Sequence, residues 1–323
     1  MPTTRARNIW LVISLVTIVG YVIAFGSTFA RQAIWTGFAI AAFVVILRTI
    51  SRHHLRARSA WLCVAGATLL AAVTNVLRDF SPATNDNTTA EILLGGLLYT
   101  SVLVLLIIAA FLFVSRRRQK VSNASTMLDS AIVLVAATMV YAQFLIYPFW
   151  FDTELLPGQA PGLVAVSIGS LLLLATTVRL WFSTAPSANR AARLLVPAFI
   201  IMSGVGTLGL SEFLPTSRPS PDVTTFLMYG GTLVFFALIG ASALDPTATH
   251  RPAGDMDTAL ASRSRVLVLM ALPLLLPAAL LWLAEGRGRE FTNGRPFAAL
   301  TVTLVVLLSL RVNLILKSYR EAV

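Results

Sequence analysis

The chain has 323 residues, of which 57% are apolar and only 12% are charged. Soluble domains carry roughly 25% charged residues, so this composition excludes an ordinary soluble domain and is typical of a protein embedded in a lipid bilayer. The formal net charge of +11 would suggest a nucleic-acid partner in a soluble protein. We expect no nucleic-acid binding here, because most lysines and arginines lie in loops on one side of the predicted membrane domain.

Apolar segments of about 20 residues recur along the chain, and each is long enough to cross a hydrocarbon core of about 30 Å. Helices are the expected spanning element, because a helix satisfies its own backbone hydrogen bonds in lipid. The sequence therefore predicts an all-α integral membrane protein, with one polytopic transmembrane domain at 1–316 and a cytoplasmic helical stub at 317–323. The ten predicted spans lie near 9–25, 33–47, 60–77, 92–114, 127–149, 162–182, 192–210, 224–244, 266–284 and 297–316.

The basic residues predict how the spans are oriented. Nineteen of the 25 lysines and arginines fall on the side that holds both termini. By the positive-inside rule both termini are cytoplasmic, and we expect a multi-pass protein of a bacterial inner membrane. The loop before the tenth span is the exception, because Arg287, Arg289 and Arg295 lie outside. An error in the count of ten would lie there or at the short second span.

A faint internal repeat links the third and fourth spans to the seventh and eighth. The third span opens with Arg58-Ser-Ala-Trp-Leu and the seventh with Arg190-Ala-Ala-Arg-Leu. The helix that follows contains a Gly-Gly pair and a tyrosine in both cases, Tyr99 and Tyr229. Corresponding spans of the two copies are four spans apart along the chain, so the repeat would be parallel. The alternative is that Leu- and Ala-rich helices simply look alike.

Polar side chains at membrane depth are few and uncharged. Two explanations for them are open. They can form interhelical hydrogen bonds, worth roughly 0.6–2 kcal/mol each in model systems, or they can line a pocket for a small molecule or a lipid. The candidate ligand-binding residues are Asn75, Tyr99, Gln143, Ser170 and Tyr229.

Residues that carry catalysis are not clustered in the sequence. The single cysteine, Cys63, lies in an apolar segment, so no disulfide can form within the chain. His53 and His54 stand in an Arg-rich loop, His250 is alone, and no phosphate loop, HExxH or GxSxG motif is present. We therefore predict no metal site, no cofactor and no enzymatic activity.

The last span continues past the predicted membrane edge, through Lys317 and Arg320, without a glycine, asparagine or proline to end it. This favours a helix that transmits a signal to a cytoplasmic partner. Val312, Ile315, Tyr319 and Ala322 have heptad a/d spacing and could pair in a homodimer. The alternative is a basic stop-transfer anchor. The candidate output residues are Arg311, Val312, Ile315 and Tyr319.

Several segments resemble the membrane portion of actinobacterial cyclic-di-GMP proteins, which carry a polytopic N-terminal region before GGDEF and often EAL domains. The segment 58–80, RSAWLCVAGATLLAAVTNVLRDF, is similar to their R-x-A-W-x-L…D helices, and Leu128-Asp129-Ser130-Ala131-Ile132-Val133 to their L-D-A-x-I-V helix. Ser167–Leu172 lies where they often read Y-P-x-x-D-L-L, and Leu244-Asp245-Pro246-Thr247 where they often read L-H-P-S.

Two departures from that family limit what the resemblance implies. Ser170 replaces an intramembrane aspartate and Asp245 replaces a histidine, and no GGDEF or EAL sequence occurs in the 323 residues. The resemblance thus implies the membrane input region of a signalling protein, without cyclase activity. A sensory or regulatory domain is our first hypothesis. A small-molecule or lipid transporter is the alternative, and a purely structural partner role is the third.

Overall fold

A computed structural model of the chain describes residues 4–52, 57–80, 89–115, 123–142, 159–182, 190–211, 221–248, 277 and 294–322. Within these ranges the regular secondary structure is helical, which confirms the all-α prediction. Seven of the described helices are long and apolar enough to cross a membrane. A multi-pass membrane protein is therefore supported, whereas the count of ten spans and the cytoplasmic termini stay predictions.

Among the described residues, 3-10 turns occur at Ala24–Gly26 and Pro246–Ala248. The α-helices are α1 (Thr4–Ile23), α2 (Thr28–Arg52), α3 (Arg58–Phe80), α4 (Thr89–Ser115), α5 (Asn123–Tyr141), α6 (Gln159–Phe182), α7 (Arg190–Ser211), α8 (Pro221–Ala243) and α9 (Gly294–Ala322).

The helices overlap the predicted segments but often extend beyond them. The largest extension is in α2, which covers 28–52 where apolar composition predicts 33–47. The helix can continue through Arg48 and Arg52, because a long basic side chain can reach the membrane surface with its charged end while its stem stays among apolar groups. The predicted span 266–284 lies outside the described residues except for Pro277, which is buried and helical.

Six helices form a closed ring through their main contacts. Around this ring the order is α2, α3, α4, α6, α7 and α8, and α8 contacts α2 again. Helix α1 packs on α2 and α8, and helix α5 packs on α6. Helix α9 has its main contact, within the described part of the chain, with α5. The ring is therefore the body of the fold, and α9 is joined to it through α5.

The first eight described helices form two halves with similar contacts, α1–α4 and α5–α8. In each half the first helix contacts the second, the second contacts the third, and the third contacts the fourth. The fourth helix of each half contacts the second helix of the other half, as α4 with α6 and α8 with α2. These contacts are those expected of a repeat of four helices, and its parallel orientation stays a prediction.

Two separate apolar cores hold these helices together. The larger core joins α1 to the ring and contains fully buried side chains such as Ile46, Leu103, Phe199 and Phe236. The smaller core lies between α5 and α9, where Ile132, Ala136 and Met139 meet Phe297 and Leu304. Among the described residues, α9 contributes to the smaller core and not to the larger one.

Close packing of α1 on α8 depends on one glycine. The Trp10 indole lies directly over Gly240. A Cβ added to Gly240 would be only 2.6 Å from Trp10 Cζ2 and would overlap the ring. The indole Nε1 donates to the carbonyl of Ala237 at 2.9 Å. The Trp10 ring also stacks on Phe38 of α2 with centroids 5.2 Å apart, which fixes α1 in the groove between α2 and α8.

Candidate functional site

Two of the five candidate ligand-binding residues lie in what we call the first polar cluster, formed by Trp35, Thr36, Asn75 and Tyr229. Asn75 is 5% exposed, and its Nδ2 donates to Thr36 Oγ1 at 2.9 Å, which joins α3 to α2. Tyr229 of α8 meets the adjacent Trp35 edge to face, with ring centroids 5.9 Å apart. Three helices of the ring thus converge here.

Two further candidates lie in the second polar cluster, formed by Tyr99, Ser170, Ser203 and Gly206. Ser170 is fully buried, and its backbone carbonyl accepts a hydrogen bond from Ser203 Oγ at 2.8 Å, which joins α6 to α7. The Ser170 hydroxyl lies in the space that a Cβ on Gly206 would occupy, and the Tyr99 hydroxyl is 3.2 Å from the same point. Gly206 therefore permits the two hydroxyl groups to approach α7.

The two polar clusters occupy matching places in the two halves. Each contains a hydrogen bond between the second and third helices of one half, Asn75 to Thr36 and Ser203 to Ser170. Each also contains a tyrosine from the fourth helix of the other half. Gln143, the fifth candidate, lies outside the described residues.

Each cluster contains a buried polar group that could accept or donate a further hydrogen bond. Within the described part of the chain the Ser170 hydroxyl and the Trp35 indole N–H have no hydrogen-bond partner. A buried polar group without a partner costs roughly 1–3 kcal/mol, and a ligand oxygen could recover this energy. The residues that form each cluster are uncharged, so each cluster is suited to a neutral hydrogen-bonding group and not to an ion.

Helix α9 carries an ion pair that the sequence did not predict. Arg311 Nε of α9 lies 2.7 Å from Asp129 Oδ1 of α5, and Arg311 Nη2 donates to Oδ2 at 3.3 Å. The side chains are 12% and 0% exposed. The Arg311 side chain, a candidate output residue, thus turns toward α5. The two residues had similar predicted depths in their spans, which is the signal that could have suggested the pair.

The other candidate output residues lie on α9. Val312 is half-buried, and the backbones of Ile315 and Tyr319 belong to the same helix. The helix continues to Ala322, as the sequence predicted. Whether these residues form a dimer seam is not tested by a single chain and stays a prediction.

A second network without a sequence prediction surrounds Asp245, directly after α8. Arg7 Nη1 of α1 lies 2.6 Å from Asp245 Oδ2, and the Asp245 side chain is only 1% exposed. The backbone N–H and the hydroxyl of Thr247 donate to Oδ1 at 2.9 and 2.7 Å, which makes Asp245-Pro-Thr an Asx turn. The Thr247 hydroxyl in turn accepts from the Ala191 N–H at 3.0 Å and so caps the start of α7.

This network fixes the charge of Asp245. Burial by itself would raise the pKa of the Asp245 carboxyl, but the Thr247 hydrogen bonds and Arg7 together hold it below its usual value. Ser242 strengthens the same corner, because its hydroxyl donates to the Ala191 carbonyl at 2.7 Å. Asp245 therefore joins α1, α7 and α8 at one end of the bundle.

Comparison of the chain with protein-family models, with curated proteins and with solved structures gives no match. The resemblance to the membrane regions of cyclic-di-GMP proteins stays a prediction. Among the described residues there is no group of three or more His, Cys, Asp or Glu side chains that could hold a metal ion.

Proposed function

We propose that this chain is a sensory or regulatory domain of a bacterial inner membrane, which passes a signal to the cytoplasm through α9. The observation that carries the proposal is the attachment of α9. Its main described contact is with α5, and that contact combines a small apolar core with the buried pair Arg311–Asp129. A helix attached at one place can be displaced as a unit when its support moves.

A physical route from the second polar cluster to α9 supports this proposal. Ser170 lies on α6, helix α5 packs on α6, and α9 packs on α5. A ligand that bonded to the Ser170 hydroxyl would act on the α6–α7 contact at Ser203. Any shift of α6 would then move α5, and the Arg311–Asp129 pair would move α9 with it.

The test is a fusion in which a dimerisation-dependent diguanylate cyclase domain follows Val323, with one to four residues inserted at the junction. Each inserted residue rotates the cyclase by about 100° relative to α9. We expect cyclic-di-GMP in cells to rise and fall with this helical phase. An output that is equal at every junction length would mean that α9 is only an anchor.

A transporter is the alternative, and one observation favours it. The described helices form two halves with similar contacts, and internal repeats are a common plan of transport proteins. Purified protein in liposomes would then move a solute, and Asn75→Leu would abolish the flux by removing the hydrogen bond to Thr36. Gln143→Leu is the second variant for this assay. Flux that is absent across a broad solute panel would count against transport.

A further inference from the structure

Helix α9 is the least covered of the candidate membrane spans. Its segment Phe297–Leu314 is 11% buried, the smallest share among the seven candidate spans of the described residues. The residues on its side toward α5 are three and four positions apart, as expected of one side of a helix. They are Phe297, Leu300, Leu304, Leu307 and Arg311.

The side of α9 opposite α5 has a heptad pattern of its own. Its residues are all exposed and are again three and four positions apart: Ala299, Val302, Val306, Ser309, Asn313 and Leu316. We call this set the outer seam. Asn313 follows the buried Leu304 by nine positions, and at about 100° per residue this places it on the opposite side of the helix. In the heptad, Asn313 occupies an a position.

Asn313 distinguishes the outer seam from an ordinary lipid-facing surface. The residue lies within the candidate span Phe297–Leu314 and is exposed. An amide has two N–H donors and an acceptor oxygen, and hydrocarbon offers a partner to neither. A single asparagine at an a position fixes the register and the number of chains in a coiled coil. The seam is therefore better suited to a protein helix than to lipid.

The chemistry of the seam fits a second copy of the same chain. Helix α9 runs in the same direction through the membrane in every copy, so two copies present parallel helices across a two-fold axis. The Asn313 amide of each copy can donate to the amide oxygen of the other, and the β-branched Val306 at an a position also favours two chains. Every residue of the seam is uncharged, and Arg311 is paired on the side toward α5, so like charges do not oppose the contact.

We infer that the outer seam of α9 pairs with the outer seam of a second copy, in a parallel contact where the two Asn313 amides bond to each other. This seam differs from the one predicted from the sequence, which contains the half-buried Val312. The inference does not depend on the proposed signalling function, because the contact can be measured without any cytoplasmic output.

Disulfide trapping of the full-length chain in native membranes tests the pairing. Single cysteines replace Val302, Val306 or Ser309 in a chain that carries Cys63→Ala, and copper phenanthroline oxidises thiols that lie close together. We expect a disulfide-linked dimer from each of the three positions, because equivalent a or d residues of two parallel chains meet across a seam.

Thr303→Cys and Val305→Cys are the matched controls. Both positions are exposed, but they lie on the flanks of α9, between the outer seam and the side toward α5. They should give several-fold less dimer than the seam positions. Equal yields at all five positions would show random collision of chains. No dimer at any position would show that lipid or another segment of the chain covers the seam, and either result would overturn the pairing.

The amide contact has a test of its own. Resonance energy transfer between donor- and acceptor-labelled full-length chains in liposomes gives the dissociation constant of the dimer. Asn313→Leu should raise this constant about tenfold, in line with polar contacts between membrane helices, whereas Asn313→Gln, which keeps an amide, should retain most of the wild-type affinity. A dissociation constant of Asn313→Leu equal to that of wild type would overturn the amide pair.

Discussion

Replacement of Asp245 by asparagine should destabilise the fold more than any other single change at that end of the bundle. The variant leaves Arg7, whose side chain is only 18% exposed, without its counter-charge. Breaking a buried ion pair by removal of one partner costs roughly 3–5 kcal/mol. We expect about 3 kcal/mol, because Arg7 can extend to water and an asparagine oxygen can still accept from Thr247.

The contribution of Asp245 to the stability of the fold should decrease at low pH. The pKa of Asp245 is lower in the folded chain than in the unfolded chain, so its contribution to stability is present above the unfolded value of about 3.9. That contribution is lost as pH falls through the lower, folded value. The stability difference between wild type and Asp245→Asn should therefore be constant from pH 8 to 5 and shrink below about pH 4.

Thermal unfolding of the full-length chain in detergent micelles, measured between pH 3 and 8, checks both statements. Arg7→Gln should be destabilising as well, and the double variant Arg7→Gln/Asp245→Asn should cost less than the sum of the two single variants, because the residues interact directly. The reasoning is refuted if Asp245→Asn unfolds like wild type at pH 7. It is also refuted if the difference persists unchanged at pH 3.

Two further predictions concern glycines, and the first has a matched control within the chain. Gly206→Ala places a methyl group on the Ser170 hydroxyl and should lower the free energy of unfolding by roughly 1–3 kcal/mol. The control is Gly204→Ala, whose added methyl group meets nothing within 4 Å and should cost little. Equal unfolding temperatures for the two variants would contradict the packing described. Gly240→Ala should detach α1 by displacing Trp10, seen as faster amide exchange over residues 4–23, and unchanged exchange there would show that the contact is unimportant.

The helices could be predicted from the sequence, because the length of an apolar segment and the hydrogen bonds of a helix depend on residues that are close together in the chain. The second helix shows the limit of this reasoning. Apolar composition ends near residue 47, yet α2 continues to Arg52, since arginine is a good helix former and can extend to the membrane surface. A repeat was one of two explanations for the similar segments at Arg58 and Arg190, and the similar contacts of α1–α4 and α5–α8 favour it.

The polar clusters were predictable only as a list of residues. Asn75 and Tyr229 are distant in sequence. They are placed in one cluster because Asn75 bonds to Thr36 and Tyr229 contacts Trp35, which are adjacent residues of α2. Ser170 stood out merely as a departure from a family motif, and the close approach of Gly206 gives it a physical role.

The ion pairs were missed because each joins residues that are far apart in the sequence. Arg7 and Asp245 are separated by 238 positions, and Asp129 and Arg311 by 182. No periodic pattern encodes such partners, and each charge alone could be explained by solvation at the membrane surface. The Asx-turn pattern at Asp245-Pro-Thr was the one local signal available.

The central claim is that α9 receives its signal from α5 through Arg311 and Asp129. The most direct test is the cyclic-di-GMP output of the diguanylate cyclase fusion in wild type, Asp129→Asn and the exposed-arginine control Arg48→Gln. Coupling between sites is commonly worth 1–3 kcal/mol, so we predict that Asp129→Asn lowers output about fivefold or more, while Arg48→Gln leaves it unchanged. An Asp129→Asn fusion with wild-type output at equal protein level would contradict the claim.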